Sequence, residues 1–72
     1  MVTFVDRLKE CRKNKGLTQK QAAAIFKVGE RHWQKYESGK ALPTYEGLLA
    51  LARFFEVPID YLVGNSDDPV RR

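Results

Sequence analysis

Residues 17–40, LTQKQAAAIFKVGERHWQKYESGK, decide how this 72-residue chain folds. Thr18 with Gln21 three residues later forms a capping-box pair, placed ahead of the short apolar run Ala22, Ala23, Ile25 and Phe26. Lys27-Val28-Gly29 interrupts that run. Trp33 and Tyr36 then restore three-residue apolar spacing up to the terminator Ser38-Gly39. The pattern predicts two short helices joined by a three-residue turn. Counted from Gln19, Ala23 supplies the small residue that a close crossing requires, and Ala22, Phe26, Val28, Trp33 and Tyr36 supply the apolar plugs.

The flanking segments are helical as well. Phe4, Leu8 and Cys11 recur at four- and three-residue spacing, with Thr3 and Asp6 as a capping box and Gly16 as a C-terminal stop. A fourth helix carries the stripe Leu48, Leu51, Ala52 and Phe55 between Pro43-Thr44 and Val57-Pro58. Ile59 and Leu62 mark a last short helix, closed by Gly64-Asn65-Ser66. No alternating strand pattern and no repeat occurs. The expected class is all-α, five short helices on one small core, with residues 1–66 as the domain and 67–72 as a polar tail or the start of a linker.

Composition narrows the function. Hydrophobic residues at 43% and charged residues at 31% describe a chain that folds rather than a disordered tail. One cysteine, Cys11, forms no internal disulfide, and with one histidine, His32, it offers too few soft ligands for structural zinc. No metal or cofactor is implied. No apolar run approaches the ~20 residues that span a bilayer, so the cytoplasm is the default compartment and no membrane partner is expected. A net charge of +4 suits a polyanionic partner or ordinary solubility. No nucleophile, base and orienter stand together as a set, which argues against an enzyme.

Leu17-Thr18-Gln19, Ala23, Tyr36-Glu37-Ser38-Gly39-Lys40 and the helices from Leu48 to Leu62 together resemble the Cro/repressor-type helix-turn-helix family of bacterial and phage regulators. The resemblance runs from Leu8 to about Leu62, and its most specific piece is the ESGK ending of the third helix. Two positions depart from the family pattern. Lys27 stands where the turn often has glycine, so either Lys27 is left-handed or the turn shifts toward Gly29. Trp33 replaces a branched aliphatic residue, so the core beneath that helix must accommodate an indole.

The resemblance implies a sequence-specific regulator of double-stranded DNA, of the prophage or plasmid repressor kind. In this motif the second helix enters the major groove. With Trp33 and Tyr36 facing inward, Glu30, Arg31, Gln34 and Lys35 are the expected base readers: Arg31 for guanine, Gln34 for adenine, Glu30 for cytosine, and Lys35 for guanine or a phosphate. The alternative is that these side chains pair with one another or with water. His32 either packs beside the motif or touches a phosphate. By resemblance Gln19 binds phosphate, Ser38, Gly39 and Lys40 form a second phosphate clamp through hydroxyl, amide and ammonium, and Arg12 pairs with Glu37 as a structural ion pair.

Family members of this type bind as twofold dimers on half-sites ~34 Å apart, which implies a homodimer here. Phe54, Val57, Pro58, Tyr61 and Val63 are the expected interface, unless they cover the domain's own core. The rival reading is a protein-interaction module on the same fold, such as an antitoxin domain whose partner is a toxin protein. Salt separates the two, because phosphate contacts weaken steeply with ionic strength and a largely apolar interface does not.

Overall fold

The computed structural model describes residues 2–70. Five helices follow one another: α1 Phe4–Asn14, α2 Gln19–Ile25, α3 Glu30–Ser38, α4 Tyr45–Phe55 and α5 Ile59–Leu62. Their starts are set locally. The Thr3 and Thr18 hydroxyls each accept the amide three residues on, and the Asp6 and Gln21 side chains return the bond to the cap residue's own amide. Thr44 opens α4 by accepting from the Gly47 amide.

The ends are set by left-handed residues. Gly16 and Gly39 take φ of +70° and +80° just past α1 and α3. Between α2 and α3 it is Lys27 that turns left-handed, at φ 57°, while Gly29 stays extended as the residue that opens α3. Glu56 does the same after α4, at φ 58°.

α2 packs on α3, α1 on both α3 and α5, and α4 on α5. Their shared core includes Leu8, Trp33 and Leu62, the largest side chains with essentially no exposure, and Ala22 and Ala23 at the α2 crossing. Phe26 stacks on the Trp33 indole at 5.6 Å between ring centres and meets Phe54 edge-on at 5.3 Å. The indole is therefore held by aromatic neighbours where an aliphatic side chain would leave space.

Burial corrects the expected dimer face. Val57 and Tyr61 belong to the core, at 9% and 7% exposure, and Phe54 turns its ring onto Phe26 and Phe55. A helix as short as α5 has no spare face, so its aromatic residue closes the domain. Pro58 stays half-buried, and Val63 alone of the five is exposed.

Tyr61 also organises a polar cluster the sequence did not suggest. Its hydroxyl donates to Glu10, and the buried guanidinium of Arg7 lies 3.8 Å over its ring. Arg7 Nη2 donates to Asp67 Oδ1 at 2.8 Å, and Pro69 lines a 230 Å³ cavity with Cys11 and Tyr61. Packing therefore continues beyond residue 66 into the expected tail, of which Arg71 and Arg72 lie outside the described residues. No helix among the described residues is long and apolar enough to cross a membrane.

Candidate nucleic-acid interface

The site is built around one buried carboxylate. Glu37, at 3% exposure in the last turn of α3, accepts four hydrogen bonds from three side chains. Oε2 takes Arg12 Nε at 2.6 Å and Trp33 Nε1 at 2.5 Å, while Oε1 takes Arg12 Nη2 at 3.2 Å and Gln19 Nε2 at 3.1 Å. A carboxylate offers about four lone-pair sites, so this one is saturated. Arg12 Nη1 also donates to the Leu17 carbonyl at 2.8 Å. α1, the entry to α2 and the far end of α3 thus meet at a single group.

Burial alone would raise the Glu37 pKa. The hydrogen bonds from Arg12, Gln19 and Trp33, with the Arg12 charge, outweigh it and hold the carboxyl below its ordinary value. Glu37 is thus ionised and paired at neutral pH. Because both partners are largely withdrawn from water, removing one leaves an uncompensated charge, at a cost of about 3 to 5 kcal/mol.

With Trp33 and Glu37 fixing the inner side of α3, its outer side is free. Glu30, Arg31, Gln34 and Lys35 are all exposed, and their side chains form no hydrogen bond or ion pair with any described residue. Arg31, Gln34, Lys35, Ser38 and Lys40 line one open depression on this surface. His32 is exposed too, with its ring edge-on to Tyr36 at 4.7 Å.

Of the three residues expected to clamp phosphate after α3, two have their donors directed to the end of the helix itself. The Ser38 hydroxyl donates to the Lys35 carbonyl, and the Gly39 amide is directed to the Tyr36 carbonyl. Lys40 and Ala41 amides also end on the Lys35 carbonyl. The helix needs these donors to satisfy its own last carbonyls. The Lys40 ammonium is what remains outward. Gln19, half-buried at the start of α2, has one amide hydrogen engaged by Glu37 and a second available.

Charge follows the same division. Residues 1–41 carry ten basic and four acidic side chains, whereas residues 42–72 carry three and five. The half of the chain that holds α2 and α3 is therefore the electropositive one. Sequence reading overlooked the Trp33–Glu37 bond, although their four-residue spacing on a helix was a sufficient signal.

Comparison with known proteins agrees with this geometry. The sequence model of the helix-turn-helix family matches residues 8–62. The transcriptional repressor RstR of the cryptic phage CTXphi in Vibrio cholerae is 41% identical over 59 residues, covering 82% of this chain and 53% of that protein. The transcriptional regulator ImmR of Bacillus subtilis is 38% identical over 61 residues, covering 85% and 48%. The crystal structure of a transcriptional regulator from Listeria innocua superposes with a TM-score of 0.81 at 35% identity, over 90% of this chain and 61% of that one. The chain spans about half the length of the curated relatives it matches.

Proposed function

Because this chain belongs to the Cro/repressor-type helix-turn-helix family, we propose that it reads double-stranded DNA as a transcriptional regulator, with α3 as the reading helix. One observation carries this reading: the outer row of α3 is exposed and unpaired, while its inner row is locked to α1 and α2 through Glu37. Arg31 grips guanine with two hydrogen bonds, Gln34 adenine, and Glu30 accepts from cytosine; Lys35 takes guanine or a phosphate. Each good bidentate pair discriminates by about 1 to 3 kcal/mol.

Gln19 and Lys40 hold phosphates on either side of the groove and set register without reading sequence. One domain covers half a site, so two copies bind an inverted repeat, meeting through the outward remainder of the C-terminal surface, Pro58 and Val63. Repression is the direction of control this reading favours, by similarity to the phage relative named a transcriptional repressor.

The test is selection of bound sequences from random duplex DNA at moderate salt, run with the native chain and with Arg31→Ala. The expected result is an enriched inverted repeat whose preference relaxes at one position of each half-site in the variant. Recovery of no motif, together with binding of a protein partner that is insensitive to salt, would replace this reading with the interaction-module one.

A further inference from the structure

Trp33 occupies the only buried position on the reading helix whose side chain donates to the Glu37 carboxylate, and it does so through the oxygen that also holds Arg12 Nε. The opposite oxygen holds Gln19. All four acceptor sites being filled, the plane of the carboxylate is fixed by donors on both oxygens. Withdrawing the indole hydrogen frees one lone pair in a buried site, and the carboxylate, still gripped on both oxygens by Arg12, settles toward its remaining donors. That adjustment changes what the Gln19 amide sees.

We propose that Trp33 is a positioning residue for DNA binding: its indole N–H, passed through Glu37, fixes the Gln19 amide so that its second hydrogen is presented to a phosphate. This rests on the DNA-reading function argued above. The consequence is that grip on the backbone at α2 is coupled to a side chain of the reading helix that itself touches no DNA. Arg12 grips both oxygens, Nε on Oε2 beside the indole and Nη2 on Oε1 beside the Gln19 amide, so Trp33 and Gln19 each hold the remaining site of one oxygen and the coupling between them runs across the carboxylate.

The experiment replaces the indole at position 33 by β-(3-benzothienyl)alanine, which keeps the bicyclic shape and puts sulfur where the N–H stood. The Gln19 side-chain amide is followed by nitrogen-15 NMR in the free protein. Affinity for the selected duplex is then measured with Gln19 present and in a Gln19→Ala background.

The expected result is an unchanged helical spectrum, a displaced Gln19 amide signal, and an affinity loss of about tenfold that shrinks to less than about twofold in Gln19→Ala. The slope of log affinity against log salt stays the same, because no cationic contact is lost. A Gln19 signal that does not move overturns the proposal whether or not any duplex is bound. Equal losses in both backgrounds also overturn it, since they mark a general effect of the core. If the native chain binds no duplex, the DNA-reading function falls, and the amide signal still decides whether Trp33 positions Gln19. Gln19→Ala supplies the reciprocal readout: the Trp33 indole N–H resonance shifts if the two are coupled and stays in place if they are not.

Discussion

Glu37 holds its proton less tightly in the folded chain than in the unfolded one, and that difference links its ionisation to stability. A depressed carboxyl stabilises the fold fully above its unfolded pKa, near the ordinary 4.5, and the stabilisation disappears as pH falls through the lower folded value. Stability measured by denaturant titration is therefore expected to drop steeply below about pH 4.5. Glu37→Gln lowers stability at pH 7 by about 3 kcal/mol and flattens that acid limb. An acid limb of the same slope in the variant would assign the loss to other carboxylates. Cys11, close by on α1, is raised chiefly by burial, with Glu10 adding to it, and so stays a thiol that packs rather than reacts. Of these residue-scale facts, the pairing of Arg12 with Glu37 was suggested by family resemblance and the Trp33–Glu37 bond was within reach of their four-residue spacing, while Gln19 as a further donor to the same carboxylate required the fold.

At the scale of elements, the turn between α2 and α3 carries strain that the sequence left undecided. Lys27 and Gly29 both offered a way through the turn, and local pattern does not rank them. The structure uses Lys27 at φ 57°, because the Val28 amide then reaches the Ala23 carbonyl at 3.0 Å and closes α2. A left-handed conformation costs a non-glycine residue about 1 to 2 kcal/mol, partly offset in glycine by its freer unfolded state. Lys27→Gly is expected to stabilise the domain by about 1 kcal/mol, raising the melting temperature by about 4 to 8 °C. A melting temperature that falls would mean that the lysine makes a contact outweighing its strain. The starts of α1 and α2 were legible, since a capping box is complete within four residues. Which donors remain free after a helix end was not: Ser38 and Gly39 are spent on carbonyls whose need depends on the geometry of the cap. That Tyr61 of α5 faces inward could not be told from its sequence, because four residues contain barely one turn.

Across the whole molecule, the two ends of the described chain close on each other. Gly64, at φ +83°, leaves no room for a side chain: an added Cβ would stand 2.5 Å from the Val2 carbonyl oxygen. Gly64→Ala is expected to destabilise by about 2 kcal/mol or more, combining left-handed strain with the clash, and thermal unfolding measures it. An unchanged melting temperature would mean that the segment before α1 lifts away freely. The Arg7–Asp67 pair, sixty residues apart in sequence, reinforces the same closure and was illegible for that reason. The saturated carboxylate at the other side of the core has a historical consequence. Arg12, Gln19 and Trp33 share one acceptor, so a lineage cannot exchange any of them without altering the value of the other two. Outward residues such as Arg31 and Gln34 are bonded to no described neighbour, so each can be exchanged singly without disturbing another. On the proposed reading, exchanges in the outward row would change the target one residue at a time, while the frame that aims α3 would change only as a set.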